Sequence, residues 1–128
     1  MLIKLLLIFF IVYPLAEWYI HYLLHKINNR LHDNHHHIIL KHNFNNYISI
    51  NNFEIWPFLV MVPCIYFEKY YIVLGLIKYW IVHTITHYSD KYLLYLKKHH
   101  ILHHKYKKYN FSITAIWPDI MMNTVKYK

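Results

Sequence analysis

Four groups of histidines constrain this 128-residue chain more than any other feature: His21-x-x-x-His25, His32-x-x-His35-His36, His83-x-x-x-His87 and His100-x-x-His103-His104. The order pair, triplet, pair, triplet recurs in the two halves, with an apolar stretch between them. Residues three or four apart on a helix share one face, with Cβ atoms about 5–6 Å apart, so each group can aim its imidazoles at one point. Imidazole is a ligand for iron, zinc and copper. Ten such ligands are too many for one ion, and the repeat predicts two similar half-sites that face each other. The chain holds a single glycine, so tight turns are few and the fold class expected is all-α.

The hydrophobic content of 57% is high for a soluble chain of this size and points to a bilayer as solvent. Residues 3–20 are apolar apart from Lys4 and Glu17. As a helix they reach about 27 Å at a rise of 1.5 Å per residue, close to the hydrocarbon thickness. A cleaved signal peptide is the competing reading, but no small-x-small cleavage site follows and the apolar pattern runs on into the first histidine pair. The second apolar block, about 53–83, is broken by Glu68-Lys69 and reads as a membrane hairpin with arms 53–67 and 70–82. Pro57 and Pro63 are expected to kink or start the first arm. Trp56, Tyr66, Tyr70, Tyr71, Tyr79 and Trp80 lie near the arm ends, where an aromatic belt belongs. Lys78 in the return arm speaks instead for a buried soluble hairpin.

Topology follows from charge. Of the 14 Lys and Arg residues, those at 91, 97, 98, 105, 107, 108, 126 and 128 lie in a tail whose acids are Asp90 and Asp119. The positive-inside rule puts that tail in the cytosol. With both ends of the hairpin on one side, segments 21–52 and 84–128 meet as a cytosolic, histidine-rich dimetal cap on an integral membrane helical protein, a single domain over 1–128. The net charge of +8 is accounted for by anionic headgroups, and no nucleic-acid motif is present. A short histidine-bearing helix is expected over 30–41, and Ser89-Asp90 looks like the start of an amphipathic helix over 92–108 with Leu93, Leu94, Leu96, Ile101 and Leu102 on its apolar side. Cys64 reads as a packing residue. Asn110-Phe111-Ser112 is a glycosylation sequon that cytosolic placement predicts to stay bare. Behind the ligands, Glu17, Asp33 and Asp90 are candidates to accept the outer N–H of the imidazoles, with capping or solvation as the alternative for each. His37 and His99 are further candidates for that outer layer, and His42 reads as a surface residue.

Glu17-Trp18-Tyr19-Ile20-His21-x3-His25, the triplet at 32, the pair at 83 and Lys98-His99-His100-x2-His103-His104 together resemble the fatty acid hydroxylase / sterol desaturase superfamily, membrane di-iron oxygenases with a histidine motif. The likeness covers about 17–124 and is closest to the fatty acid 2-hydroxylase branch, through the run 92–104, the Asn110-Phe111-Ser112 segment and the final Asp119 to Thr124. Departures are Ser112 and Asn123 where glycine is usual, Met122 for an aromatic, Pro118 inside the usual Trp-Asp pair, and a first pair spaced by three residues rather than four. They leave the conformation of the tail open. Only 20 residues precede His21, so the family's first membrane helix is expected to be missing, and no haem-binding cytochrome b5 module is present.

The resemblance implies an oxidoreductase of lipid metabolism in the endoplasmic reticulum membrane, with His21, His25, His32, His35, His36, His83, His87, His100, His103 and His104 as metal ligands. Two irons, O2 and an external electron donor such as cytochrome b5 and its reductase are the implied cofactors and partners, and a fatty acid or ceramide acyl chain is the implied substrate. An unactivated C–H bond lies beyond side-chain acid–base chemistry, so a metal must supply the oxidant. Two readings compete with acyl 2-hydroxylation. One is a sterol or lipid desaturase of the same superfamily; the other is a non-catalytic membrane metal-binding protein, for which zinc suits the histidines without redox chemistry.

Overall fold

The computed structural model describes residues 2–27, 32, 36, 52–89 and 91–128, and among these the regular structure is entirely helical. The helix expected over 30–41 falls outside the described residues, apart from His32 and His36.

The first apolar stretch is one rod: α1 (Leu2–Leu7), a π-helical turn (Ile8–Val12) and α2 (Tyr13–Lys26). Pro14 explains the wide turn. It has no N–H to give and its ring crowds the preceding turn, so the chain opens to i→i+5 bonding and the Tyr13 N–H reaches the Ile8 carbonyl. The Phe9 carbonyl, whose partner five residues on is Pro14, is left without a backbone donor. The Lys78 ammonium supplies one at 3.3 Å and lies 4.7 Å from the Phe9 ring centroid. The charge that spoke for a soluble hairpin therefore seals an opened helix turn.

The rod runs past residue 20, and its last turns carry His21 and His25. Over Ile3–Lys26 it is long and apolar enough to cross a membrane, and only 11% of its apolar window is covered by the rest of the protein, an exposure suited to lipid contact.

The hairpin forms as its breakpoint predicts. Helices α3 (Asn52–Tyr66) and α4 (Tyr70–Tyr88) turn at 67–69, with Glu68 in the left-handed region at φ 55° and the Lys69 N–H on the Cys64 carbonyl at 2.7 Å. Pro57 and Pro63 lie inside α3 and end nothing. The return arm runs beyond 82 to Tyr88, so His83 and His87 stand one helical turn apart. Leu59, Val62, Leu74 and Ile81 are exposed on the outside of the hairpin, and Tyr66, Phe67, Tyr70 and Tyr71 are exposed around its turn. Gly75, the single glycine, lets α4 approach α2: a Cβ there would lie 2.7–2.9 Å from the Tyr13 ring.

Ser89 breaks the chain after α4, its Oγ accepting the N–H groups of Lys91 at 3.1 Å and Tyr92 at 2.8 Å. Leu93 is left-handed at φ 52°, so α5 spans Leu94–Lys105 rather than 92–108. His99, His100 and His103 are its buried residues, while Leu93, Leu94 and Ile101 are exposed and Leu96 and Leu102 half-buried.

The tail, whose shape the departures from the family pattern leave open, is closely packed. Phe111, Ile113 and Ile116 are buried beside Trp18, and Asn110, Ser112 and Asp119 are fully enclosed. Asn123 takes the left-handed conformation at φ 54° that glycine would otherwise supply, and Pro118 sits in the first turn of α6 (Trp117–Met121), where proline is well tolerated. The Asn110 amide donates to the carbonyls of His99 and Lys126 and accepts the Lys126 N–H, so the sequon asparagine is committed to the fold.

Candidate metal centre

The end of α2, the end of α4 and the inner face of α5 converge, and their imidazoles gather into two adjoining groups. His21, His25, His32, His36 and His103 have one nitrogen each within 4.8 Å of one another, and so do His83, His87 and His100. In the first group the Nε2 atoms of His21 and His32 are 3.0 Å apart, those of His32 and His25 2.8 Å, and those of His25 and His103 3.0 Å. In the second, His83 and His87 are separated by 2.9 Å, and His83 and His100 by 3.1 Å. His104 stands at the border, with its Nε2 3.0 Å from that of His100 and its ring centroid 4.5 Å from His36.

The groups do not divide by sequence halves as the repeat suggests. His103 crosses to the first. At about 100° per residue, positions 100, 103 and 104 of a helix splay to 0°, −60° and +40°, so His103 and His104 flank His100 on opposite sides. His103 consequently faces the end of α2.

The donor chemistry fits cations. His21 Nδ1 lies 2.5 Å from the Phe111 carbonyl and His103 Nδ1 2.6 Å from the Tyr109 carbonyl; a carbonyl only accepts, so both Nδ1 atoms carry the proton. In the neutral rings the Nε2 lone pairs then point into the cluster. Imidazole N–H groups can satisfy such close nitrogens only pairwise, whereas a metal ion accepts several lone pairs at once.

Burial, and next the neighbouring imidazoles, hold His36, His100 and His103 below the ordinary value near 6.5, and His104 is lowered to about 3. Neutral imidazole is the form that binds metal. The sign of the linkage follows. Above pH 6.5 folded and unfolded chains both carry neutral rings; below it the unfolded chain takes up protons that the fold excludes, so stability falls with pH. The metal-free protein is expected to hold a level thermal midpoint from pH 8 to 7 and to lose about 2 kcal/mol per fully excluded ring by pH 5. A midpoint unchanged down to pH 5 would overturn this.

The outer layer differs from the expected one. Among the described residues no imidazole reaches Glu17: its Oε1 accepts the N–H groups of Ile113 at 2.5 Å and Thr114 at 2.9 Å, and its Oε2 the Thr114 hydroxyl at 2.7 Å, which ties the tail to α2. His99 stands behind α5, donating Nε2–H to Asp119 Oδ2 at 2.8 Å. Asp33, Asp90, His35, His37 and His42 lie outside the described residues.

Asp119 is the group that sequence reasoning did not single out as a site residue. Besides His99 it accepts the Trp18 indole at 3.0 Å, the Phe111 and Ser112 N–H groups at 2.9 and 2.8 Å, and the Thr124 hydroxyl at 2.6 Å. Burial alone would raise its pKa, but the hydrogen bonds from His99, Thr124 and Ser112 outweigh that and hold the carboxyl below the usual range. One end of its network braces the 110–112 loop that orients His21, and the other braces the residue beside His100. The available signal was an acid placed inside the apolar run 116–122.

A cavity of about 270 Å³ opens between α2 and α4. His21 and His32 close one end, and Ile20, Leu24, Ile72 and Leu76 line its sides. A model of the fatty acid hydroxylase family matches residues 6–124. No curated protein and no solved structure matches the chain significantly.

Proposed function

The chain belongs to the fatty acid hydroxylase family, and from that premise we propose that it is a membrane-bound di-iron oxygenase that hydroxylates a lipid acyl chain, at carbon 2 of a fatty acid or of a ceramide's acyl group. The observation that carries this is the continuity of the apolar cavity with the first histidine group, through His21 and His32. Irons held by His21, His25, His32, His36 and His103 and by His83, His87 and His100, with His104 between them and His35 completing the ten, supply when bound the O2 chemistry that no side chain performs. The protein's part is to hold the acyl chain in the cavity, keep water from it, and fix the imidazoles through the Phe111 and Tyr109 carbonyls.

The rod and the hairpin sit in the bilayer, with the histidines on the cytosolic face of the endoplasmic reticulum membrane, where an external donor of the cytochrome b5 kind delivers electrons. The lysine-rich tail and the exposed apolar surfaces of the rod and hairpin support this placement. The 2-hydroxylase reading rests on the likeness of the run 92–104, of Asn110-Phe111-Ser112 and of Asp119 to Thr124 to that branch.

The test is mass spectrometry of lipids from cells that express the chain, with iron and reductant supplied, beside a His103→Ala control. The expected result is an acyl product with one added oxygen that is absent from the control. A product short of two hydrogens would instead make the chain a desaturase, and an unchanged lipid profile with tightly bound zinc would overturn the oxygenase.

A further inference from the structure

Two apolar hollows lie end to end along the rod, and one side chain belongs to the walls of both. The upper is the cavity below His21 and His32; the lower is a groove of about 160 Å³ lined by Leu5, Leu6, Phe9, Tyr71 and Leu74. Tyr13 lines each of them. Its ring lies flat against the backbone of Gly75, where even a methyl group would come within 2.7 Å, and its hydroxyl donates to the Tyr71 carbonyl. The π turn ends at Tyr13, and its far wall is held by Lys78 on Phe9. Phe9 meets the ring edge-on at 6.1 Å between centroids, so Gly75, Tyr71 and Phe9 together fix its place.

Resting on the acyl-hydroxylase reading above, we propose that Tyr13 is a chain-length ruler: its ring floors the slot that receives a linear acyl chain, and Gly75 sets the depth of that floor. The occupant is argued from the lining, which is mostly apolar, with its charged members Glu17 and Lys78 engaged by the 113–114 segment and the Phe9 carbonyl and with histidines at the top, and from the slot's direction along the membrane rod. Tyr13 lies eight residues below His21, about 12 Å along the helix axis, and Leu5 another eight below Tyr13, so removing the ring would join two hollows into one of about twice the length. With the head of the chain fixed at the histidines, carbons beyond the floor must turn out between the helices into lipid. Tyr13 is a specificity residue and touches no reacting atom.

The test uses the purified full chain in detergent and saturated fatty acids of graded length, with two readouts: displacement of a fluorescent fatty acid, and the length profile of hydroxylated products. Tyr13→Ala is expected to move both profiles toward longer chains, by up to the number of methylenes that the lower groove can hold. Gly75→Ala is expected to move them toward shorter chains, because the added methyl lifts the ring into the upper slot. Either variant suffices if the other does not fold, as judged by metal content and thermal midpoint. Folded variants with parental length profiles in both readouts would overturn the ruler. Products of unchanged length profile would leave the oxygenase standing and remove the ruler; shifted binding with no product from any form would do the reverse.

Discussion

Replacing Asp119 with alanine is expected to detach the tail and empty the metal centre. The carboxylate satisfies donors from Trp18, His99, Phe111, Ser112 and Thr124 in a fully buried pocket. Leaving three of them unsatisfied costs on the order of 5 kcal/mol, which is comparable with the whole stability of a small domain. Asp119→Asn keeps the shape and one acceptor oxygen but turns an NH2 toward donors. It is expected to fold and to bind metal about 10–100-fold more weakly, the usual penalty for disturbing groups that orient ligands. Thermal unfolding and metal analysis of the two variants check this, and an Asp119→Ala protein with the parental midpoint and full metal content would remove the anchoring role.

The second large effect separates the two histidine groups. His103→Ala should weaken the ion beside α2, and His83→Ala the ion beside α4, each by more than roughly 100-fold, with the other ion retained. Cobalt substitution makes the difference visible, since each single variant keeps a different coloured site and the double variant keeps neither. Identical residual spectra from the two single variants would mean that His103 belongs with His83, as the sequence repeat suggests, and the crossed arrangement would fall.

What was legible in the sequence is what depends on local spacing. Pairs four apart share a helix face whatever surrounds them, so His21 with His25 and His83 with His87 could be read directly, and so could the hairpin turn at Glu68-Lys69, where charge interrupts an apolar run. The allegiance of His103 depends on where α5 crosses the ends of α2 and α4, a fact of packing that no spacing encodes. The role of Asp119 was hidden for the same reason, because its donors come from positions 18, 99, 111, 112 and 124. Glu17 was read as a partner of imidazole from its nearness to His21, but one helical turn below a ligand is also where the 113–114 loop passes, and backbone N–H groups in a buried loop need an acceptor. The missing glycines leave the conformation of the tail open in the sequence, yet asparagine adopts the same left-handed turn at position 123.

The distribution of buried groups has a consequence for how such a chain matures. Many leucines, isoleucines and phenylalanines of the rod and hairpin face outward, while imidazoles, an amide and a carboxylate are buried beside a small apolar cluster of Trp18, Phe111, Ile113 and Ile116. Oil is on the outside and water-loving groups are within, so the squeezing-out of water that closes a soluble protein has little to grip here. At the ends of the helices a crowd of imidazole lone pairs push one another apart. Ions that bind only the closed form would offset that repulsion and add to its stability. Loading is therefore expected to tighten a fold that already stands without it, and a higher thermal midpoint of the loaded protein would show it.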